Sequence, residues 1–254
     1  MEGVPLLDEL MANAWPPVVV ETESGWRYRW AEGVTRRANS ALATATDGSV
    51  GDLVARAEAF YGERGAPPLI QVSTASAPPD LATDLGARGY RSTARTLVEV
   101  AATRDVIDRL GSSWFQIETT ATPTDEWFNA YWAVEATRGR IQEDAAVCRG
   151  VLLKPGLPTV FATARQGSQV VGVGQLVIES GWGGVQCMAT GPIHRRRGAA
   201  TAVLGGLAAE ALRRAVDRLY LAVMADNDAA TALYGRAGFR AVHEYSYYLR
   251  QGAA

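Results

Sequence analysis

The chain has 254 residues, of which 48 % are hydrophobic and 20 % are charged, and its formal net charge is −2 at pH 7. This length suits two small domains or one large one, and the slight acidity argues against general nucleic-acid binding. No stretch of about 18 apolar residues predicts a membrane span, and no signal-peptide pattern is present, so we expect a cytoplasmic protein without membrane contact. The two cysteines and two histidines are too few for a disulfide framework or a metal site.

The first part of the chain contains a short series of predicted elements. Residues 25–30 alternate apolar and polar side chains like a strand, residues 50–61 have the pattern of a helix, and residues 69–72 form an apolar strand segment. The stretch Thr46–Ser49 predicts a turn or a helix cap before the helix.

The second part predicts a longer series of strands and helices. In chain order these are a strand over 114–118, helices over 123–134 and 142–152, hairpin strands over 158–165 and 169–179, a strand over 182–190, a helix over 199–215, and strands over 219–224 and 241–249. The helix over 199–215 has one apolar stripe, so we expect it to pack on the sheet. The stripe consists of Val203, Leu204, Leu207, Ala211, Leu212 and Ala215.

The segment Gly191–Thr201 joins a strand to the start of that helix. The first N–H groups of a helix have no partner within it, and the helix dipole places positive charge behind them, so a phosphate suits this position. Small residues at 198–200 keep side chains away from the backbone, and three arginines at 195–197 add positive charge. A solvated basic face, a nucleic-acid patch or close helix packing would use the same residues. The spacing matches neither a Walker A loop nor a GxGxxG motif.

A second pattern lies downstream, after one helix and one strand. The first segment contains Arg195-Arg196-Arg197-Gly198-Ala199-Ala200, with Pro192 upstream, and the second runs from Asn227 through Ala230, Tyr234 and Gly238 to Phe239. In this order the two resemble the Arg/Gln-x-x-Gly-x-Gly/Ala and Asn-x-x-Ala-x-x-x-Tyr-x-x-x-Gly-Phe motifs of the GNAT superfamily of acyl-CoA-dependent N-acyltransferases. The resemblance covers about residues 112–250. It implies an α/β fold with a mixed central sheet flanked by helices, and acetyl-CoA or another short acyl-CoA as co-substrate, without a metal.

A degenerate internal repeat relates the two parts of the chain, and each copy predicts a strand, a short helix, a Gly-aromatic-Arg turn and a second strand. When residues 69–72 are placed on 219–222, the following pairs align without gaps: Gly86 with Gly235, Gly89 with Gly238, Tyr90 with Phe239, and Arg91 with Arg240. Pro78 and Leu85 stand where the second copy has Asn227 and Tyr234, and the first copy has no arginine-rich loop. We therefore expect a degenerate GNAT-like domain without a cofactor site over 1–110 and a catalytic GNAT domain over 111–254. Residues 33–40 also resemble a segment of some actinobacterial GNAT proteins, some of which act on amino acids.

The resemblance implies roles for individual residues. The backbone of Met188, Ala189 and Thr190 would lie beside the pantetheine arm, and residues 195–201 would hold the pyrophosphate. Asn227 and Ala230 match positions next to the pantetheine. Tyr234 matches the general acid that protonates the departing sulfur, and a phenol is protonated at neutral pH.

The general base is less defined, because the strand over 182–190 has no carboxylate. Glu179 is the candidate of choice, with Glu244, His243 and a chain of water molecules as alternatives. Cys187 as a covalent nucleophile is disfavoured, because a cysteine within a strand usually behaves as a small hydrophobic side chain.

The expected activity is transfer of an acetyl group from acetyl-CoA to a primary amine of a small molecule by direct attack, in a monomer or homodimer. The first two helices of the second part would form one wall of the acceptor site. This wall contains Trp127, Phe128, Tyr131, Trp132, Glu135, Arg138 and Arg140. The arginines at 138 and 140 would face either a substrate carboxylate or solvent. A protein amine as acceptor, an acyl-CoA sensor without turnover, and nucleic-acid binding through residues 195–197 remain alternatives.

Overall fold

The computed structural model describes residues 4–44, 48–139, 141–154 and 156–250, and within them eleven strands form one mixed sheet flanked by helices. The first part of the chain contains α1 Val4–Ala14, β1 Val19–Glu23, β2 Trp26–Trp30, β3 Ala41–Ala43, α2 Val50–Gly62, β4 Leu69–Ser73, α3 Leu81–Ala87, β5 Tyr90–Ala102 and α4 Thr103–Leu110. The second part contains β6 Gln116–Thr120, α5 Asp125–Ala136, α6 Asp144–Leu153, β7 Thr159–Gln166, β8 Gln169–Glu179, β9 Trp182–Thr190, α7 Ala199–Arg213, β10 Arg218–Met224, α8 Asp228–Arg236 and β11 Arg240–Arg250.

The two parts of the chain exchange strands at the centre of the sheet. The strand order is β1-β2-β3-β4-β11-β5-β10-β9-β8-β7-β6. Strand β5 from the first part inserts between β10 and β11, pairing antiparallel with both, and β11 in turn pairs with β4. Each part therefore supplies a strand to the sheet of the other, although 1–110 and 111–254 as separate domains stay a prediction.

The succession proposed for the repeat occurs twice, as β4–α3–β5 and as β10–α8–β11. Gly89 and Gly238 follow the two short helices, with φ of 85° and 98°, a left-handed conformation that glycine adopts without strain. Ser49 caps α2, because its side chain accepts a hydrogen bond from Asp52 N. Thr46 and Asp47, assigned to the same turn, lie outside the described residues.

Helix α7 packs on β7, β8 and β9 through the expected stripe, and Val203, Leu204, Leu207 and Ala211 are fully buried. The stripe ends earlier than expected, because α7 ends at Arg213 and Ala215 is exposed with a φ of 56°. The strand expected over 114–118 is shifted, since β6 begins at Gln116. Helices α1 and α4 and strands β1 and β3 had no counterpart in the sequence prediction.

Candidate active site

A gap opens in the sheet between β9 and β10. The two strands pair in parallel only from Trp182 to Val185 on β9 and from Arg218 to Leu221 on β10. Beyond this point β10 stays paired with β5 as far as Met224, and β9 stays paired with β8 as far as Thr190. The strands therefore diverge, and the backbone of residues 186–190 faces the gap instead of a neighbouring strand.

A bulge in β9 lies at the start of this gap. Between the pairs Gln175–Gln186 and Val173–Ala189, the single residue Gly174 of β8 faces two residues of β9. One of these, Cys187, has a φ of 54°. A Cβ on Gly174 would come within 2.6 Å of Met188 Sδ and 2.7 Å of Val203 Cγ1, so the close approach of β8, β9 and α7 requires a glycine. Such bulges bend a strand and redirect its side chains.

The loop after β9 exposes the first turn of α7. Gly198 is the N-cap residue with φ 88° and ψ 1°, and no side chain caps the helix. The first N–H groups of α7 are therefore open to an external acceptor. Arg195, Arg196 and Arg197 are exposed and form no ion pair with a described residue. This arrangement suits an anion such as a pyrophosphate.

Helix α8 begins beside the gap. The Asn227 side chain caps it by accepting a hydrogen bond from Ala230 N at 3.2 Å, which leaves its Nδ2 group for other partners. Tyr234 lies two turns further along, is 7 % exposed, and packs edge-on against Phe239 at 5.9 Å between ring centroids. Burial raises the pKa of the Tyr234 phenol to about 12, and the charge of Glu99 on β5 adds to this rise. The phenol is therefore a proton donor at neutral pH.

A cavity of about 690 Å³ fills the gap and is lined by both parts of the chain. Four of the expected site residues line it, namely Met188, Asn227, Ala230 and Tyr234. Ala189, Thr190 and residues 195–201 lie outside this lining, further along β9 and in the loop after it. Gly198 and Thr201 line a separate groove of about 460 Å³ beside the stacked rings of Trp114 and Phe115. Strand β9 therefore runs from the cavity, which its residues 184–188 line, to the loop that precedes α7.

Comparison with known proteins assigns the chain to a family. Residues 4–248 match the family described as "Probable histone acetyltransferase Rv0428c C-terminal". The chain belongs to this family. A curated relative, the uncharacterized N-acetyltransferase YobR of Bacillus subtilis strain 168, is 27 % identical over 252 residues, which cover 99 % of this chain and 100 % of the relative.

Solved structures of low sequence identity share the fold. A GCN5-related N-acetyltransferase from Kribbella flavida has a TM-score of 0.70 at 13 % identity. The match covers 98 % of this chain and 95 % of the Kribbella chain. A tandem GNAT protein from the clavulanic acid biosynthesis pathway has a TM-score of 0.69 at 13 % identity, with coverages of 96 % and 86 %. The expected GNAT fold is confirmed. The enzyme is an acyltransferase of GNAT type, and the fold implies an acyl-CoA co-substrate.

The structure does not bring Glu179 into the cavity of this acetyltransferase. Glu179 pairs with Trp182 at the hairpin end of β8 and β9, whereas the cavity lining begins at Gly184. Its carboxylate accepts a hydrogen bond from Asn13 Nδ2 of α1 at 3.0 Å. Glu179, the base predicted from the sequence, therefore lies at the hairpin end of β8, outside the residues that line the cavity.

Glu244 and His243 on β11 contact charged side chains outside the cavity lining, and Cys187 on β9 is disfavoured as a nucleophile. Glu244 forms a surface ion pair with Arg95 at 2.5 Å. His243 lies against α1, with Nε2 at 3.7 Å from Asp8 Oδ1. Cys187 lines the cavity, but burial raises the pKa of its thiol well above the usual value, so the thiolate needed for nucleophilic attack is disfavoured.

The wall formed by α5 divides into core and cavity residues. Trp127 is fully buried and donates from Nε1 to Ala162 O at 3.1 Å, and Phe128 and Trp132 stack in the same core. The side chains that line the cavity are Tyr131, Glu135 and Arg138. Arg140 lies outside the described residues. Within the described part of the chain, no helix is long and apolar enough to cross a membrane, and no group of metal-binding side chains is assembled.

Proposed function

We propose that the enzyme transfers an acetyl group from acetyl-CoA to a primary amine of a small molecule by direct attack, with Tyr234 as the general acid. The observation that carries this proposal is the position of Tyr234: a buried, protonated phenol that lines the cavity where β9 and β10 separate.

Acetyl-CoA would bind along β9. The open N–H groups at Gly198 and the first turn of α7 would hold the pyrophosphate, with Arg195, Arg196 and Arg197 adding positive charge. The edge of residues 188–190 that is not paired with β10 would lie beside the pantetheine, and the Nδ2 group of Asn227 would reach it from α8. The fit depends on the bulge at Cys187, which turns this backbone toward the gap.

The chemistry forms a C–N bond and breaks a C–S bond. The acceptor nitrogen attacks the thioester carbonyl, the sulfur leaves with the bonding electron pair, and the Tyr234 hydroxyl donates its proton to that sulfur. The acceptor nitrogen loses one proton. Among the described residues lining the cavity, Glu135 and Asp226 are the carboxylates, and they can receive this proton through water.

Replacing Tyr234 with phenylalanine tests the role of the hydroxyl. We expect Tyr234→Phe to bind acetyl-CoA as the wild type does and to lower kcat by roughly 10²–10⁴-fold, the usual contribution of a general acid. Tyr220→Phe is the matched control, because Tyr220 is another buried phenol lining the same cavity, on β10. Equal kcat losses in both variants, or an unchanged kcat in Tyr234→Phe, would remove Tyr234 from the mechanism.

Calorimetric titration with acetyl-CoA tests the number of sites. We expect one site per chain, because the loop ending at Gly198 leaves the start of α7 without a side-chain cap, whereas Ser49 caps the corresponding helix α2 with its own side chain. Two sites or none would contradict the assignment. A wild-type protein that binds acetyl-CoA but releases no thiol with any amine would support the sensor alternative.

A further inference from the structure

Arg36 and Arg37 line the cavity and form no ion pair with a described residue, and Arg37 is the less exposed of the two. Arg37 follows β2 in the loop 33–40, is half-buried and lines the cavity. Its guanidinium carbon lies 5.4 Å from the centroid of the Trp15 ring, a cation–π contact. Arg37 forms no ion pair with any described residue. Partly buried arginines are usually paired, so this unpaired guanidinium is available to a ligand.

The loop that carries Arg37 is held rigidly. Asn39 Oδ1 accepts hydrogen bonds from Ala31 N at 2.7 Å and from Gly33 N at 2.9 Å, and its Nδ2 donates to Thr35 O at 2.7 Å. Trp15 Nε1 donates to Thr35 Oγ1 at 2.8 Å and so fixes the loop to the end of α1. The position of Arg37 is therefore preorganised, which lowers the entropy lost when a ligand binds.

Arg37 lies near three other side chains that line the cavity. Burial raises the pKa of Cys187 on β9 and of Tyr220 on β10, and the positive charge of Arg37 opposes both shifts. It acts in the same way on Tyr247 of β11. Arg37 is thus close to the same strands that border the gap where the acyl group would lie.

The charges around Arg37 favour an anion. Arg36 and Arg138 also line the cavity, against the carboxylates Glu135 and Asp226. Glu135 forms an ion pair with Arg138 at 2.6 Å. Behind the loop, the fully buried Arg29 donates only to neutral groups of Ser40 and Gln71 in its hydrogen bonds. Its pKa is lowered by burial only to about 10, so it stays charged at neutral pH.

Other acids lie near the cavity without lining it, and the charges of Glu99 and Glu179 raise the pKa values of the cavity residues Tyr234 and Tyr220. Asp8 of α1 is buried, and burial raises the pKa of its carboxyl despite the hydrogen bond from Ser73 and the nearby His243. Among the described residues that line the cavity, three arginines nevertheless outnumber two carboxylates, and one of these carboxylates, Glu135, is paired with Arg138. A lysine-rich peptide would be repelled, whereas a carboxylate would form charge-assisted hydrogen bonds.

We propose that Arg37 binds a carboxylate of the acceptor, so that the substrate is an amino acid or another small amine that carries a carboxylate, and not a lysine-rich protein tail. This inference rests on the proposed acetyl transfer and specifies its acceptor. Arg37 is then a specificity-determining residue supplied by the first part of the chain, while Tyr234 comes from the second.

Matched pairs of amines test the proposal by kinetics. Acetyl-CoA turnover is compared for tyrosine with tyramine and for β-alanine with ethylamine, together with a lysine-rich histone peptide. We expect the carboxylated member to have the higher kcat/KM, and Arg37→Gln to lower that value by about 10- to 100-fold while leaving the carboxylate-free member unchanged. Arg37→Lys should retain part of the preference, because it keeps the charge but loses the bidentate geometry.

Two results of these kinetics would overturn the proposal. The first is a higher kcat/KM for the histone peptide or the carboxylate-free amines. The second is a loss of the preference in Arg36→Gln but not in Arg37→Gln, since Arg36 is the more exposed arginine of the same loop. A melting temperature equal to wild type for each variant ensures that folding is not the cause.

Chemical labelling provides a readout that does not depend on turnover. Phenylglyoxal modification of Arg37 is followed by peptide mass spectrometry, with the exposed Arg104 as reference. We expect tyrosine or β-alanine to protect Arg37 and tyramine or ethylamine not to do so. Protection without thiol release from any amine would refute acetyl transfer but support carboxylate binding. Absence of protection by every carboxylated amine would overturn the inference even if acetyl transfer occurs.

Discussion

Replacing Gly198 with valine should separate the cost of backbone strain from the loss of the cofactor. At φ 88° a residue with a Cβ is strained by about 1–2 kcal/mol. The space itself is open, because the nearest atom to an added Cβ is Phe115 Cε2 at 3.8 Å. A drop of roughly 2–8 °C in melting temperature follows for a chain of this length.

The effect of Gly198→Val on cofactor binding should be larger. The valine side chain would occupy the space in front of the helix start, so the pyrophosphate would lose about two charge-assisted hydrogen bonds of about 1.5–3 kcal/mol each. This corresponds to an increase in Kd on the order of 10²–10⁴-fold. Calorimetric titration with acetyl-CoA measures it directly.

Gly89→Val is the matched control. Gly89 has a φ of 85°, has no atom within 4 Å of an added Cβ, and lies in the turn after α3, outside the expected cofactor loop. We expect the same fall in melting temperature and an unchanged Kd for acetyl-CoA. Wild-type affinity in Gly198→Val would refute the loop assignment, and an equal loss in Gly89→Val would show that the effect is general destabilisation.

Further predictions concern the loop charges, the packing of the sheet and the pH dependence of kcat. Single alanine substitutions at Arg195–Arg197 should raise the Kd for acetyl-CoA by less than about tenfold, and the effect should shrink with added salt, because these side chains are exposed. Gly184→Ala should lower the free energy of unfolding in urea by about 1–3 kcal/mol, because its Cβ would overlap the Tyr220 ring. Since phenolate cannot donate a proton, kcat should fall as pH rises through the raised pKa of Tyr234. In Glu99→Gln, which removes a nearby negative charge, this alkaline fall should move to lower pH in a pH–rate profile.

The sequence predicted the elements around the loop well, because their signals are local. The apolar period of α7 and the motif residues at Gly198 and Asn227 each lie within one strand–helix unit. The bulge at Cys187 was not predicted, because its cause is the contact between Gly174 and two other elements. In the sequence, the only sign of this bulge is a glycine, Gly174, within an apolar strand segment.

Long-range placement was the part that sequence patterns could not supply. The internal repeat predicts a strand at β5 but does not specify β10 and β11 as its neighbours. The position of Glu179 outside the cavity lining was not foreseen for the same reason, since closeness along the chain to β9 did not account for the hairpin register. The role proposed for Arg37 also depends on packing, because Arg37 and Tyr234 are far apart in the sequence and line the same cavity only in the folded chain.

The strand exchange makes the two parts a single cooperative folding unit. The pairing of β5 with β10 and β11 joins residues that are more than 110 positions apart in sequence, and contacts of such separation slow folding. A fragment starting at residue 111 would leave the inner edge of β10 unpaired and separate β11 from both of its partners. Exposed edges of this kind promote aggregation. If the chain arose by tandem duplication followed by this strand exchange, the first half would be retained even without the cofactor motifs. The second half would need β5 and β4 of the first half as partners for β10 and β11.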